Sequence, residues 1–282
     1  DYKKPNLISN ILLPLTIPIK ISNYFLNKKA KKKSSKIKTI CVGNIYLGGT
    51  GKTPTIISLY NILKKFNKNI STAKKFYSIQ KDEHQLLKNT NLILGNTRKE
   101  IIRKAISKKK KLLLFDDGLQ DKYIDYDLKF VCFDTNKWIG NGRLIPSGPL
   151  REKMDSLKKY DVVFLKGEKK SNKTFTRLIY KINPKIKVFT TKFEITNLKK
   201  FNKKDNFLIF SGIGNSDDFK KTLIKNKFKV VKEIVYPDHY QYKNSDIKKI
   251  NNLAKKMNAK IITSEKDYVK IRLLNYKNIN FL

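Results

Sequence analysis

With 282 residues, 40% of them hydrophobic and 11% aromatic, the chain has enough material for one large or two modest packed domains, which excludes disorder as its main state. Lys and Arg number 63 against 23 Asp and Glu, a formal net charge of +40 that favours anionic partners such as phosphates, nucleic acid or an acidic membrane face. The two cysteines, Cys41 and Cys132, lie far apart in apolar runs that read as strands. The sequence therefore offers neither a disulfide framework nor a multi-cysteine zinc site, and points to a reducing, cytosol-facing location.

Most of the positive charge is lysine, spread from Lys3 to Lys277 in a chain also rich in Asn and Ile. Diffuse lysine is mainly solvated surface, so only local clusters are informative. Residues 5–27 form the most apolar stretch, interrupted by Pro14, Pro18 and Lys20. Its longest apolar block, Ile11 to Ile19, contains Thr16 and falls short of the roughly 20 residues that a bilayer span needs. No small-residue cleavage site follows, as a signal peptide would require. Instead Lys28, Lys29, Lys31, Lys32 and Lys33 follow directly. An apolar segment backed by lysines, each contributing about 1 kcal/mol near an anionic headgroup layer, suits a helix lying on a cytoplasmic leaflet. A helix packed on the protein's own core accounts for the same pattern.

Next comes a short β-rich run, Ile37 to Val42, then Gly43-Asn44-Ile45-Tyr46-Leu47-Gly48-Gly49-Thr50-Gly51-Lys52-Thr53-Pro54. Beyond it, Ile56, Ile57, Leu59, Tyr60, Leu63 and Phe66 mark the apolar face of a helix. Strand, glycine-rich loop and helix make a nucleotide phosphate loop: glycines let backbone N–H groups turn inward and the helix start adds its dipole. Lys52 would reach the β- and γ-phosphates and the Thr53 hydroxyl would bind Mg²⁺. Tyr46 stands where the strict pattern has its first Gly, so the loop is the variant GGxGKT form. A buried strand, Lys111 to Phe115, then ends in Asp116-Asp117-Gly118-Leu119-Gln120, placing carboxylates where they can hold Mg²⁺ or its waters.

The segment Gly140-Asn141-Gly142-Arg143-Leu144-Ile145-Pro146-Ser147-Gly148-Pro149-Leu150-Arg151-Glu152 reads as a loop between the strands KFVCF and DVVFL. It carries two of the chain's six arginines, residues suited to planar phosphate recognition. Lysine-rich residues 167–206 read as a linker. A second α/β lobe follows over 207–282: strand 207–210, a glycine turn, a helix from about Ser216, strand 229–235, a helix from Ser245 and strand 259–264. The expected organisation is thus a segment 1–36 that associates with membrane, a core 37–166, the linker and this lobe. The fold class is α/β, a phosphate-loop NTPase-like parallel sheet with a second, smaller α/β lobe and an N-terminal membrane-associating helix.

GNxxxGGTGKTP, DDGLQ and GNGRLIPSGPLRE, in this order, resemble the tetraacyldisaccharide 4'-kinase family, and the similarity runs to SEKDYVK near the carboxyl end. That resemblance implies ATP and Mg²⁺ as cosubstrate and metal, lipid A disaccharide 1-phosphate as acceptor, and a monotopic enzyme on the anionic cytoplasmic face of a bacterial inner membrane. On matching positions it implies Gly48, Gly49, Thr50, Gly51, Lys52 and Thr53 as the phosphate cradle, with Arg98 and Arg151 beside the nucleotide. It also implies Thr53, Asp116, Asp117 and Glu152 around the metal. Asp82, in Lys81-Asp82-Glu83, matches the expected base at the acceptor hydroxyl. His239, in Pro237-Asp238-His239-Tyr240, matches a residue expected to support that base. Together with Lys52 these form the expected catalytic set.

Three departures from the family pattern stand out. Asp121 occupies the usual His position after DDGLQ, residues 74–80 lack the usual Arg-Gly-Tyr, and His84 follows Glu83 where Pro is common. A membrane-recruited phosphate-loop ATPase switch without a small acceptor is the alternative reading, and it predicts hydrolysis that ignores Asp82. A nucleic-acid binder is the third. No interleaved basic and aromatic stacking motif supports it, and no nucleic-acid partner is expected.

Overall fold

The computed structural model describes residues 4–28, 36–77, 81–121, 123–274, 276 and 278–282. The basic block Lys29, Lys31, Lys32 and Lys33 lies outside the described residues, as do positions 78–80 of the segment before Asp82. The chain divides into two units, Asp1–Phe76 with Leu87–Phe193, and Tyr77–Leu86 with Glu194–Leu282.

The first unit carries strands β1 (Lys38–Gly43), β2 (Ile70–Lys75), β3 (Ile93–Gly95), β4 (Leu112–Asp116), β5 (Leu128–Asp134), β6 (Val162–Lys166) and β7 (Lys187–Thr191). They form one parallel sheet in the order β3-β2-β4-β1-β5-β6-β7. Alternation along the central strand decides which helix covers which face. Ile40 and Val42 of β1 pack with Ile56 and Tyr60 of helix α3 (Lys52–Lys64). Cys41, between them, points into the opposite layer with Phe115, Phe133 and Val163. Ile101 and Ala105 of α5 (Arg98–Ser107) and Ile179 of α6 (Lys169–Ile182) close that layer. Thr97 caps α5 by accepting from the Glu100 N–H at 3.2 Å. Chain order reverses direction at β1, flanked by β4 and β5, so the carboxyl ends of these strands form the switch point where α/β sheets bind ligands.

Helices α1 (Leu7–Ile11) and α2 (Ile17–Lys28), with a short 3-10 helix at Pro14–Thr16 between them, precede the sheet. No helix among the described residues is long and apolar enough to cross a membrane. Helix α4 (Lys81–Leu86) belongs by contact to the second unit, although it follows β2 in sequence.

The second unit is a parallel sheet, order β11-β10-β8-β9, of β8 (Asn206–Ser211), β9 (Lys229–Val235), β10 (Ala259–Thr263) and β11 (Ile279–Phe281). Leu208 and Phe210 face Ile247, Ile250 and Ala254 of α8 (Asn244–Lys256) and Ile271 of α9 (Glu265–Ile271). Phe207 and Ile209 face Leu223 of α7 (Ser216–Lys225). The parallel core and the smaller α/β unit expected from sequence are both present.

The division of the chain differs from the expected one. Residues 167–193 are not linker: α6 and β7 complete the first sheet, with β7 pairing β6 from Val162↔Lys187 to Lys166↔Thr191. Phe175, Ile179 and Ile182 recur at helical spacing among the lysines of α6 and reach the core, a stripe that the charge masks. Strand β2 also escaped the hydropathy pattern. Ser71, Thr72, Ala73 and Lys74 are buried because the strand is interior to the sheet, with β3 and β4 satisfying its backbone.

Candidate active site

The loop after β1 is shaped by two glycines. Gly48 and Gly51 have φ of +109° and +87°, and a Cβ on Gly51 would lie 3.0 Å from the Phe193 ring. Buried Asn44 braces the turn, donating from Nδ2 to the Gly48 carbonyl at 3.0 Å and to Thr50 Oγ1 at 3.1 Å. Thr50 is buried, Gly49 borders open space, and α3 starts at Lys52. Backbone N–H groups and the positive end of α3 thus converge on the ground just beyond β1.

Strand β4 brings its acidic pair to the same end of the sheet. Buried Asp116 accepts from Lys74 Nζ at 2.8 Å and from the Thr53 hydroxyl at 3.3 Å through Oδ2, while its buried Oδ1 has no hydrogen-bond partner among the described residues. Asp117, with φ of +63°, turns out of the strand. Arg151 Nη1 donates to it at 3.0 Å, and Lys52 Nζ stands 3.7 Å away. Burial pushes the Asp117 carboxyl up, but Lys52 and then Arg151 outweigh it and hold the group at about 2. An anion beside Lys52 and Arg151 marks the charge that a phosphate would meet there.

The other expected residues stand around this pair in supporting contacts. Arg98 donates to Asp121 Oδ2 at 2.9 Å and to the Asp117 carbonyl at 3.0 Å, fixing the turn that carries the acidic pair. Asp121 also accepts from the Tyr123 and Ile124 N–H groups at 2.8 and 2.9 Å. The residue that departs from the family pattern is therefore used as a turn-locking anion. Glu152 accepts from Gln120 at 2.7 Å and Tyr160 at 2.9 Å. Arg143, by contrast, faces the N-terminal segment, donating to Asn10 Oδ1 at 2.7 Å and Ser9 Oγ at 3.1 Å.

A metal was expected at Thr53, Asp116, Asp117 and Glu152. Among the described residues no group of three or more His, Cys, Asp or Glu could hold a metal by itself. The orphaned Oδ1 of Asp116 beside the Thr53 hydroxyl fits a hard cation that takes its remaining ligands from phosphate and water, as Mg²⁺ does. Asp117 is engaged by the Arg151 guanidinium and faced by Lys52, and Glu152 Oε1 by the Gln120 amide and the Tyr160 hydroxyl.

In the second unit, Asp82 on α4 is buried and His239 Nδ1 lies 3.3 Å from its Oδ2. The structure thus brings together two residues 157 positions apart in sequence. His239 has φ of +61°, and its N–H donates to Asp238 Oδ1 at 2.9 Å. Sequence reading missed Lys74, Lys266 and Lys270. Lysine is too abundant here for any one to stand out, and only tertiary contact separates these from solvated ones.

A family model described as Tetraacyldisaccharide-1-P 4'-kinase matches residues 9–78 and 81–281. The chain is 45% identical over 283 residues to a tetraacyldisaccharide 4'-kinase of Pelagibacter ubique, covering 100% of this chain and 90% of that protein. It is 33% identical over 288 residues to one from Rickettsia bellii, covering 96% and 88%. Among solved structures it is similar to the "apo" form of LpxK from Aquifex aeolicus in complex with ATP, at a TM-score of 0.69 and 21% identity, covering 97% of this chain and 92% of that one. At that identity the likeness shows a shared fold. With a family match along nearly all its length and relatives at 33% and 45% identity, the chain belongs to the tetraacyldisaccharide-1-P 4'-kinase family.

Proposed function

We propose that this protein transfers the γ-phosphate of ATP to the 4'-hydroxyl of a tetraacyldisaccharide 1-phosphate, a step of lipid A biosynthesis. The observation that carries the reading is the convergence of Lys52, Thr53, Asp116 and Asp117 at the ends of β1 and β4, in a chain of this family. Gly48 to Thr53 cradle the triphosphate with backbone N–H groups, and Lys52 and Arg151 neutralise its charge, exchanging Asp117 for phosphate oxygens. Thr53 and Asp116 would hold Mg²⁺, which when bound neutralises charge on the transferring group. Arg98 holds the turn that presents the acidic pair.

Asp82 takes the proton of the acceptor hydroxyl as that oxygen bonds to the γ-phosphorus and the bond from phosphorus to the bridging oxygen of ADP breaks. His239 orients the carboxylate. The acceptor is a lipid, and the N-terminal helices support a place at an anionic membrane face. Leu7, Ile8 and Ile11 of α1 are 76%, 67% and 67% exposed, and Ile17, Ile21, Tyr24 and Phe25 form an exposed stripe on α2. Among the described side chains there, the buried ones are Ser9 and Thr16, and Ser147 Oγ donates to the Ser9 carbonyl at 2.6 Å. This inversion, polar in and apolar out, favours the membrane reading over a helix packed on the protein's core.

The test is transfer of labelled γ-phosphate to lipid A disaccharide 1-phosphate. Lys52→Ala should abolish transfer, and Asp82→Asn should lower kcat by roughly 10²-fold or more with ATP binding retained. ATP hydrolysis that proceeds equally without lipid, and is indifferent to Asp82, would replace this reading with the ATPase switch.

A further inference from the structure

The SEKDYVK stretch supplies helix α9, whose Lys266 and Lys270 sit one turn apart and so on one face. Both ammonium groups lie 3.7 Å from Asp82 Oδ2, the oxygen that His239 Nδ1 also approaches at 3.3 Å. Among the described residues, neither Asp82 oxygen nor His239 Nδ1, all three buried, makes a hydrogen bond. At 3.7 Å the cations act through their charge and do not occupy the lone pairs that an arriving proton needs.

Each lysine is itself fixed. Lys270, 6% exposed at its side chain, lies 3.1 Å from Asp267 Oδ1 and 5.7 Å from the centre of the Tyr242 ring. Fully buried Asp267 is in turn held through Oδ2 by the Gly212 N–H at 2.9 Å and the Ser264 hydroxyl at 2.6 Å. A chain of contacts therefore runs from the turn after β8 through Asp267 and Lys270 to Asp82. Lys266 also reaches Asp238 at 3.3 Å, Glu83 at 3.7 Å and His239 Nε2 at 3.4 Å. An ammonium can only donate, so Nε2 is the acceptor in this contact.

We propose that Lys270 and Lys266 are positioning residues for Asp82, fixing its carboxylate by their charge without taking the lone pair that accepts the proton of the acceptor hydroxyl. This rests on the reading of Asp82 as the base. Among the described residues, Lys266 and Lys270 from α9 and His239 from the loop after β9 are the charged groups facing Asp82. Glu83, Asp238 and Asp267 act on it through the two lysines.

The experiment measures kcat and the KM for ATP for wild type, Lys270→Met, Lys270→Arg, Lys266→Met and Asp82→Asn. Lys270→Met should lower kcat about tenfold or more and leave the KM for ATP within about twofold. Lys270→Arg should restore most of the rate, and Lys266→Met should lower kcat in the same way by less. Wild-type kcat in Lys270→Met, or a Lys270→Arg no better than Lys270→Met, with Asp82→Asn inactive, would overturn the positioning role while leaving the base in place. Wild-type kcat in Asp82→Asn would instead remove the base and this inference with it. If Lys270→Met does not fold, Lys266→Met decides by the same split of kcat against KM, since its side chain is 21% exposed.

Discussion

Asp116 shows how one residue of the acidic pair is made ready. Its side chain is fully buried, and a carboxylate there is tolerated only because Lys74, 4% exposed, meets it at 2.8 Å. Removing one partner of such a pair strands the other. Lys74→Met should therefore lower the stability of the first unit by ~3–5 kcal/mol, and the double variant Lys74→Met/Asp116→Asn should regain much of that, as read by urea unfolding. Similar losses in the single and double variants would show that the pair is not what Lys74 supports. The Asp pair, Lys52 and Thr53 were legible in sequence because their spacing follows strands and loops. Lys74 was not, because its partner is 42 residues away and lies on a neighbouring strand.

At the scale of elements, α1 and α2 are held by polar contacts and expose their apolar side chains. Arg143 and Ser147 of the Gly/Pro-rich loop bind α1, and Asn23 of α2 donates to the Arg151 carbonyl at 3.2 Å. The loop that was expected to serve phosphate with both its arginines thus divides them, Arg143 to the N-terminal helices and Arg151 to Asp117. Replacing Leu7, Ile8 and Ile11 together by Ser removes an exposed apolar face without touching the core. Co-sedimentation with vesicles rich in anionic lipid should fall several-fold, with the far-UV circular dichroism unchanged. Unchanged sedimentation would reject these helices as the membrane contact. Helix α6 teaches the complementary lesson, since its apolar stripe is visible only once the lysines between are set aside as solvated surface.

For the whole molecule, two units with separate cores predict two unfolding transitions. The chain's single tryptophan, Trp138, is stacked on Phe175 at 4.0 Å in the first unit, so its fluorescence reports that unit alone, whereas circular dichroism reports both. Bound ATP should raise the fluorescence midpoint and leave the remaining transition in place, because the phosphate loop belongs to the first unit. Coincident curves by both probes would contradict independent units. Patterns that stay local in the chain determined the phosphate loop, the acidic turn, strands β1, β4, β5 and β6 and the α/β class, because backbone geometry and residue spacing fix them within a few residues. Tertiary structure alone decided that α6 and β7 complete the first sheet, that Tyr77–Leu86 joins the second unit, and which few lysines of a strongly cationic chain are buried against Asp116 and Asp82. The reason is physical: an ion pair is selected by the desolvation it must offset, and burial is a property of the packed chain.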